Sequence, residues 1–315
     1  MDKPPIKSVR FRAWFSSALQ IKGSVIGDVL PSTLLATSFG FLIALLFQLG
    51  YPVALPSLVT FVPNIVLGLL LVFRTNTAYE RFWEGRKWWG SLNNDIRNLA
   101  RLIWVATSER TPEDHEQKVR VLYLLAAFAV AMKLYLRQES IVENPELKSL
   151  ILPNQYHKLQ AMNHPPLQIA FWIGDYLQSQ YQNGYINIYQ LTAMHQLLNG
   201  MVDALGGSER ILRTPMPLAY AIHLKQLLLL YCFSLPFQMV ESLGWLTGLV
   251  VGLISFTLLG IEAIGVEIEN PFGRDPNDLP LDAICHMIRR NIEDLMSLTP
   301  QTNQGMNPPL LPPQP

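Results

Sequence analysis

Forty-five consecutive residues, from Val29 to Phe73, contain no Asp, Glu, Lys, Arg or His. A hydrocarbon core about 30 Å thick is crossed by roughly 20 apolar residues at 1.5 Å rise per residue. The gap therefore has room for two crossings and a turn between them. Val29–Gly50 forms the first. Pro52 and Pro56 punctuate the connection, because proline breaks a helix interior but suits a first turn. Ser57 to Phe73 begins the second, which continues past Arg74. The apolar stretch starts too far into the chain and runs too long for a cleaved signal peptide.

A second pair of crossings is expected near the C-terminus, over Gln226–Val240 and Ser242–Ile261, both free of charge. Glu241, helped by Pro236 and Gly244, falls at the turn between them. The first of these segments is short, so Lys225 is placed to snorkel at its end; a hairpin in a soluble core is the alternative reading. Val121–Met132 is also uncharged but spans only 12 residues, a length that suits a buried helix of a water-facing layer.

Charged residues make up 15% of the chain and hydrophobic residues 50%, against about 25% charged in an ordinary soluble domain. That balance excludes a disordered chain. With 24 basic and 24 acidic residues there is no net charge, hence no basic footprint for nucleic acid. The mean hydropathy of +0.20 is modest, so the membrane part shares the chain with a sizeable wet part. Cys232 and Cys285 are too few for a disulfide framework, and neither has zinc-ligand spacing around it.

Orientation follows from flanking Lys and Arg. Lys3, Lys7, Arg10, Arg12 and Lys22 precede the first crossing. Arg74, Arg81, Arg86, Lys87, Arg97, Arg101 and Arg110 follow the second, whereas the turns near Gly50–Pro56 and Gln238–Gly244 carry neither residue type. Both termini and the middle are thus expected on the cytoplasmic side. The resulting organisation is a cytosolic segment (1–28), a membrane hairpin (29–73), a cytosolic helical region (74–224), two further spans (225–266), a cytosolic C-terminal segment (267–298) and a disordered or extended Pro-rich tail (299–315).

The middle reads as helical throughout. Over Arg74–Ala106, residues Tyr79, Phe82, Trp83, Trp89, Leu92, Ile96, Leu99 and Ile103 follow a 3.6-residue period. The second crossing therefore runs into a long helix leaving the membrane, with Tyr79, Phe82, Trp83, Trp88 and Trp89 crowding the exit. Pro112, Pro145, Pro153, Pro165 and Pro166 divide the rest into helices expected at about 15–25 residues. Gly206-Gly207-Ser208-Glu209 reads as a glycine turn with Ser208 as helix N-cap. No strand precedes those glycines, so a phosphate loop is disfavoured.

His115, His157, His164, His195, His223 and His286 show no paired metal spacing, and no nucleophile-elbow, Walker or zincin sequence occurs. Neither enzyme activity nor a cofactor or metal is expected. In the second crossing, which offers one amide at Asn64, the residues Ile65, Leu69 and Phe73 lie at i, i+4 and i+8 on one stripe. Copies arranged around an axis with that stripe inward would form a constriction that makes ions shed hydration water. The same spacing is found in any membrane helix facing lipid, so periodicity alone leaves both readings open.

The run Phe73-Arg74-Thr75-Asn76-Thr77-Ala78-Tyr79-Glu80-Arg81-Phe82-Trp83-Glu84, with Trp88-Trp89-Gly90, resembles the signature of the bestrophin family, especially its prokaryotic branch. So do Ile268-Glu269-Asn270-Pro271-Phe272-Gly273, Gly206-Gly207-Ser208-Glu209-Arg210-Ile211 and Thr214-Pro215-Met216-Pro217. The resemblance covers about residues 10 to 295. It implies an all-α homopentamer with four membrane helices per protomer and a large cytosolic helical region. It further implies a pore neck at Ile65, Leu69 and Phe73 and a cytosolic aperture at Met216. The implied activity is passage of small anions, chloride or bicarbonate, with a monovalent cation channel of the same fold as alternative; an anchored assembly module without conductance is a third reading. Animal members close a calcium clasp with an acidic run after Asn-Pro-Phe-Gly. Here Arg274, Pro276 and Asn277 interrupt it, leaving Asp275 and Asp278 as a remnant. Glu262, Glu267 and Glu269 read as exposed acids at a helix end. Arg74 would put a positive ring at the inner mouth if it pointed inward, with Glu80 and Glu84 able to offset it. The implied partners are other copies of the chain, small ions and the bilayer. The implied location is a cell inner membrane, or a thylakoid membrane in a photosynthetic source.

Overall fold

A computed structural model of the chain describes residues 19–55 and 61–300, with backbone alone for residues 61–64. The expectations for 1–18, for Pro56, for the Asn64 side chain and for the tail from 301 onward lie outside the described residues. Ten helices occur among the described residues, and no strand. They are α1 (Ile26–Gln48), α2 (Phe61–Ala106), α3 (Pro112–Leu136), α4 (Pro145–Lys148), α5 (Pro153–Gln160), α6 (Pro165–Gln182), α7 (Ile188–Arg213), α8 (Leu218–Leu243), α9 (Leu246–Glu267) and α10 (Leu281–Met296).

Proline sets the helix starts. Pro112, Pro145, Pro153 and Pro165 each occupy the first turn of their helix, where the missing N–H costs nothing. At α3 the start is reinforced by a reciprocal cap: Asp114 N donates to Thr111 Oγ1 at 3.3 Å, and Thr111 N donates to Asp114 Oδ2 at 2.9 Å. Two of these helices are shorter than expected, α4 at 4 residues and α5 at 8, because the prolines that start successive helices are only eight (145 to 153) and twelve (153 to 165) residues apart. The second crossing and the amphipathic stretch after it form one helix of 46 residues, α2.

Two local expectations fail. Gly206, Gly207 and Ser208 do not form a turn but lie inside α7. Gly207 is needed for packing: a Cβ there would stand 2.2 Å from Trp88 Cε2. Ser208 caps no N-terminus and donates to Ala204 O at 2.8 Å within the same helix. Similarly, Glu241 and Pro236 are inside α8, and the turn falls at Gly244, whose φ of +52° favours glycine. Proline inside an apolar helix is tolerated where neighbours re-satisfy the backbone, so it was a poor marker for the turn.

The chain divides into two compact units: the described part of Met1–Trp83 with Thr214–Asp278, and Glu84–Arg213 with the described part of Leu279–Pro315. In the first unit, α1 packs on α9 through glycine. A Cβ on Gly40 would lie 2.8 Å from Gly248 Cα, one on Gly248 2.6 Å from the Phe41 ring, and one on Gly252 2.2 Å from Thr37 Oγ1. Gly248 and Gly252 are one turn apart, the small-residue spacing that lets membrane helices approach closely. Beside them, Leu67 and Leu71 of α2 bury against Leu224 and Leu228 of α8.

The second unit is built around α3, where Leu122, Leu125, Ala127, Phe128, Ala129, Ala131 and Met132 are wholly enclosed. Four described helices are long and apolar enough to cross a membrane: α1, α3, α8 and α9. They differ in burial. In α3, 78% of the most apolar stretch is buried within the protein, against 33% in α1 and 22% in each of α8 and α9.

Candidate pore lining and its inner mouth

On α2, Leu67, Leu71, Arg74 and Ala78 fall at i, i+4, i+7 and i+11 and are all buried. At 100° per residue, the opposite face carries Ile65, Leu69 and Phe73. These three are 53%, 52% and 54% exposed in the single chain, and Val66 and Val72 beside them are exposed too. The expected stripe thus exists as a continuous apolar face that the subunit itself leaves uncovered. A face of that kind marks an interface, a lipid contact or a lining.

Immediately past Phe73 the chain changes character. Arg74 does not point outward; it is 3% exposed and turns across α9 toward Glu269. Its Nη2 lies 2.7 Å from Glu269 Oε2, and its Nη1 donates to Met216 Sδ at 2.8 Å. The other carboxylate oxygen, Oε1, accepts from Met216 N at 2.7 Å. Arg81, two turns further along α2, donates from Nε to Glu269 O at 3.1 Å and from Nη1 to Thr214 O. Gly265 makes the crossing possible, since a Cβ there would stand 3.1 Å from Arg74 Cγ.

Glu269 is therefore not the exposed acid expected at the end of α9: its side chain is 16% exposed and both oxygens are engaged. Burial pushes its pKa up, but the Met216 N–H, the Arg74 guanidinium and the Arg81 charge outweigh that. The carboxyl is held below the ordinary glutamate range. Opposite charges at such close range in a partly buried site are strongly coupled. Met216, half-buried, is seated by this carboxylate. Tyr220 further ties the start of α8 to α2 by donating its OH to Leu70 O at 2.6 Å. The Arg74–Glu269 pair went unnoticed in the sequence, although a signal was there: one charge directly follows the uncharged stretch and the other directly precedes Asn-Pro-Phe-Gly.

Glu267 accepts from Asn277 Nδ2 at 2.8 Å, and Asn277 Nδ2 also reaches Gly23 O at 3.1 Å. Asp278 is spent on the turn, accepting from Asp275 N through Oδ2 at 2.8 Å. Among the described residues no group of three or more His, Cys, Asp or Glu side chains is arranged for a metal ion. Of the two acids expected to offset Arg74, Glu80 is exposed, and Glu84, in the second unit, pairs with Arg210 at 2.5 Å.

Uncovered apolar helices beside a compact cluster of polar contacts define an integral membrane protein of the all-helical class. The comparisons narrow it further. Residues 6–294 match the family model described as Bacterial/Fungal Bestrophin protein, and the chain belongs to the bestrophin family. It is 64% identical over 293 residues to "Voltage-dependent anion channel-forming protein alr2987" of Nostoc sp., covering 93% of this chain and 95% of that one. It is 55% identical over 289 residues to "Voltage-dependent anion channel-forming protein sll1024" of Synechocystis sp., covering 92% and 94%. Among solved structures it resembles a bacterial bestrophin homolog from Klebsiella pneumoniae, with a TM-score of 0.76 at 29% identity, covering 87% of this chain and 100% of that one. The family is one of channel-forming proteins rather than of enzymes.

Proposed function

We propose that the chain forms a homopentameric ion channel for small anions, chloride first and bicarbonate second, with Ile65, Leu69 and Phe73 as the neck and Met216 as the inner aperture. The observation that carries this is the exposed apolar stripe on α2, set opposite a face fully used for packing, in a chain whose relatives are named for anion channel formation. Five such stripes around an axis would make ions shed water in passing, so bore and wetting control conductance. On this reading α1, the first part of α2, α8 and α9 cross the membrane, while α3 to α7 and α10 form the cytosolic layer. The boundaries are those at 28, 73, 224, 266 and 298. Both termini face the cytoplasm of a cell inner membrane, or of a thylakoid membrane in a photosynthetic cell. The protein's partners are its own copies, inorganic ions and lipid, with no cofactor.

Purified protein in a planar bilayer under a NaCl gradient tests this. The expected reversal potential lies near that of chloride; a value near that of sodium selects the cation alternative. Leu69→Ala and Phe73→Ala, which widen the neck, are expected to raise single-channel conductance. Absence of any conductance in wild type and both variants would leave only the anchored-module reading. The mass of the detergent-solubilised particle should correspond to five chains, and a single-chain particle overturns the pore.

A further inference from the structure

We infer that Glu269 is a positioning residue for the inner mouth: its carboxylate cancels the Arg74 charge next to the neck and, through the same group, seats Met216, so that ion selectivity depends on this pairing. The inference rests on the channel reading above.

Both carboxylate oxygens are committed, one to Arg74 Nη2 at 2.7 Å and the other to Met216 N at 2.7 Å. Arg81 fixes the backbone on either side, holding Glu269 O and Thr214 O from the same helix that presents Phe73. Charge at residue 74 and the place of residue 216 are therefore set by one side chain. An arginine 3% exposed cannot stay buried without its counter-charge, because an unpaired ion in apolar surroundings carries a large desolvation cost. Freed from Glu269, Arg74 turns to the nearest water, which in the proposed assembly is the pore mouth one residue past Phe73. Fivefold repetition multiplies the effect, and narrow low-dielectric walls strengthen the field felt by a passing ion. Paired, the two charges leave the mouth nearly neutral, and permeation is governed by the oily neck.

The test is the anion-to-cation permeability ratio of four proteins under a NaCl gradient: wild type, Glu269→Gln, Arg74→Gln and the double variant. Glu269→Gln keeps an oxygen for Met216 N but frees Arg74, so the ratio should rise several-fold. Arg74→Gln frees the carboxylate, so the ratio should fall several-fold. The double variant should return to the wild-type ratio. A merely structural pair would move both single variants the same way, or neither, and either result overturns the inference. Where Glu269→Gln or Arg74→Gln fails to assemble, Arg74→Met takes its place, since it removes the charge and leaves the Glu269 carboxylate to Met216 N. A lowered ratio there supports the inference, and an unchanged or raised one overturns it. Wild type without anion-selective conductance defeats the channel reading itself; an anion-selective wild type with unshifted variants defeats this inference alone.

Discussion

Helices α3 and α9 are both long and apolar enough to cross a membrane, yet they are held in opposite ways. α9 leaves Leu249 and Leu253 more than half exposed and meets α1 through Gly248 and Gly252, backbone close to backbone. α3 buries its leucines and alanines completely and takes two lysines in with them, Lys118 and Lys133, 1% and 3% exposed. Each lysine brings a partner. Lys118 Nζ donates to Thr107 O at 2.9 Å and to Glu109 Oε1 at 2.7 Å, and sits 5.1 Å from the centre of the Trp104 ring. Lys133 Nζ reaches Glu146 at 2.6 Å and Asp282 at 2.8 Å. The difference follows from the surrounding medium on the proposed topology. Among lipid chains a leucine gains little by turning inward, so helices are joined by close van der Waals approach. In water, burying apolar side chains is the main driving force, and each buried charge must be paired.

If that contrast is right, the largest effect comes from stranding a charge in the second unit. Glu146→Gln with Asp282→Asn leaves Lys133 buried and alone, and should destabilise the protein by about 3–5 kcal/mol. Lys133→Met should cost clearly less, because Asp282 keeps Arg137 at 2.9 Å and both acids retain access to water. Chemical unfolding of the detergent-solubilised protein, followed by far-ultraviolet circular dichroism, compares the two. Equal losses would break the argument. Next in size is Gly40→Ala in the first unit, whose new methyl meets a backbone atom at 2.8 Å and cannot be relieved by a rotamer change. Overpacking of this kind costs roughly 1–3 kcal/mol. Gly260→Ala has nothing within 4 Å and should be neutral or slightly stabilising, since alanine favours a helix over glycine by up to about 1 kcal/mol. Thermal unfolding that ranks Gly260→Ala below Gly40→Ala would show that glycine contact does not hold α1 to α9.

The sequence made the first of these packing styles easy to see and the second hard. An uncharged stretch of 45 residues reports helix long and apolar enough to cross a membrane, and prolines at 112, 145, 153 and 165 report helix starts, because both are local facts. The 3.6-residue period likewise carried α2 through to Ala106. Pro236 and Gly207 misled because their meaning is tertiary: one is tolerated inside α8, and the other admits the Trp88 ring. The stripe at Ile65, Leu69 and Phe73 was legible because a helix face is fixed by spacing. The Arg74–Glu269 pair joins residues 195 apart in the chain, and no periodicity links them. Gly248 and Gly252 form a recognisable spacing, but only the facing Gly40 gives it a purpose.

The smallest predicted effect separates the Lys133–Asp282 pairing from the seam of α1 and α9 by their response to acid. Asp282 has its pKa depressed to about 2: burial works against this, but its bonds to Lys133 and Arg137, and the charges behind them, prevail. A carboxyl depressed in the folded state stabilises it fully above its unfolded value near 4, and that contribution is lost as pH falls from there toward 2. The side chain is half exposed, so solvent screens the interaction and the change is modest. The residues joining α1 to α9, namely Thr37, Gly40, Phe41, Gly248 and Gly252, include no group that titrates in this range. Unfolding of wild type and Asp282→Asn at pH 7, 4 and 3 should therefore show a stability difference that shrinks steadily with acidity. Gly40→Ala should differ from wild type by the same amount at all three. A difference for Asp282→Asn that does not change with pH would mean that the aspartate acts by shape rather than by charge. The contact of Asp282 with α3 would then be a matter of packing, as the seam of α1 and α9 is.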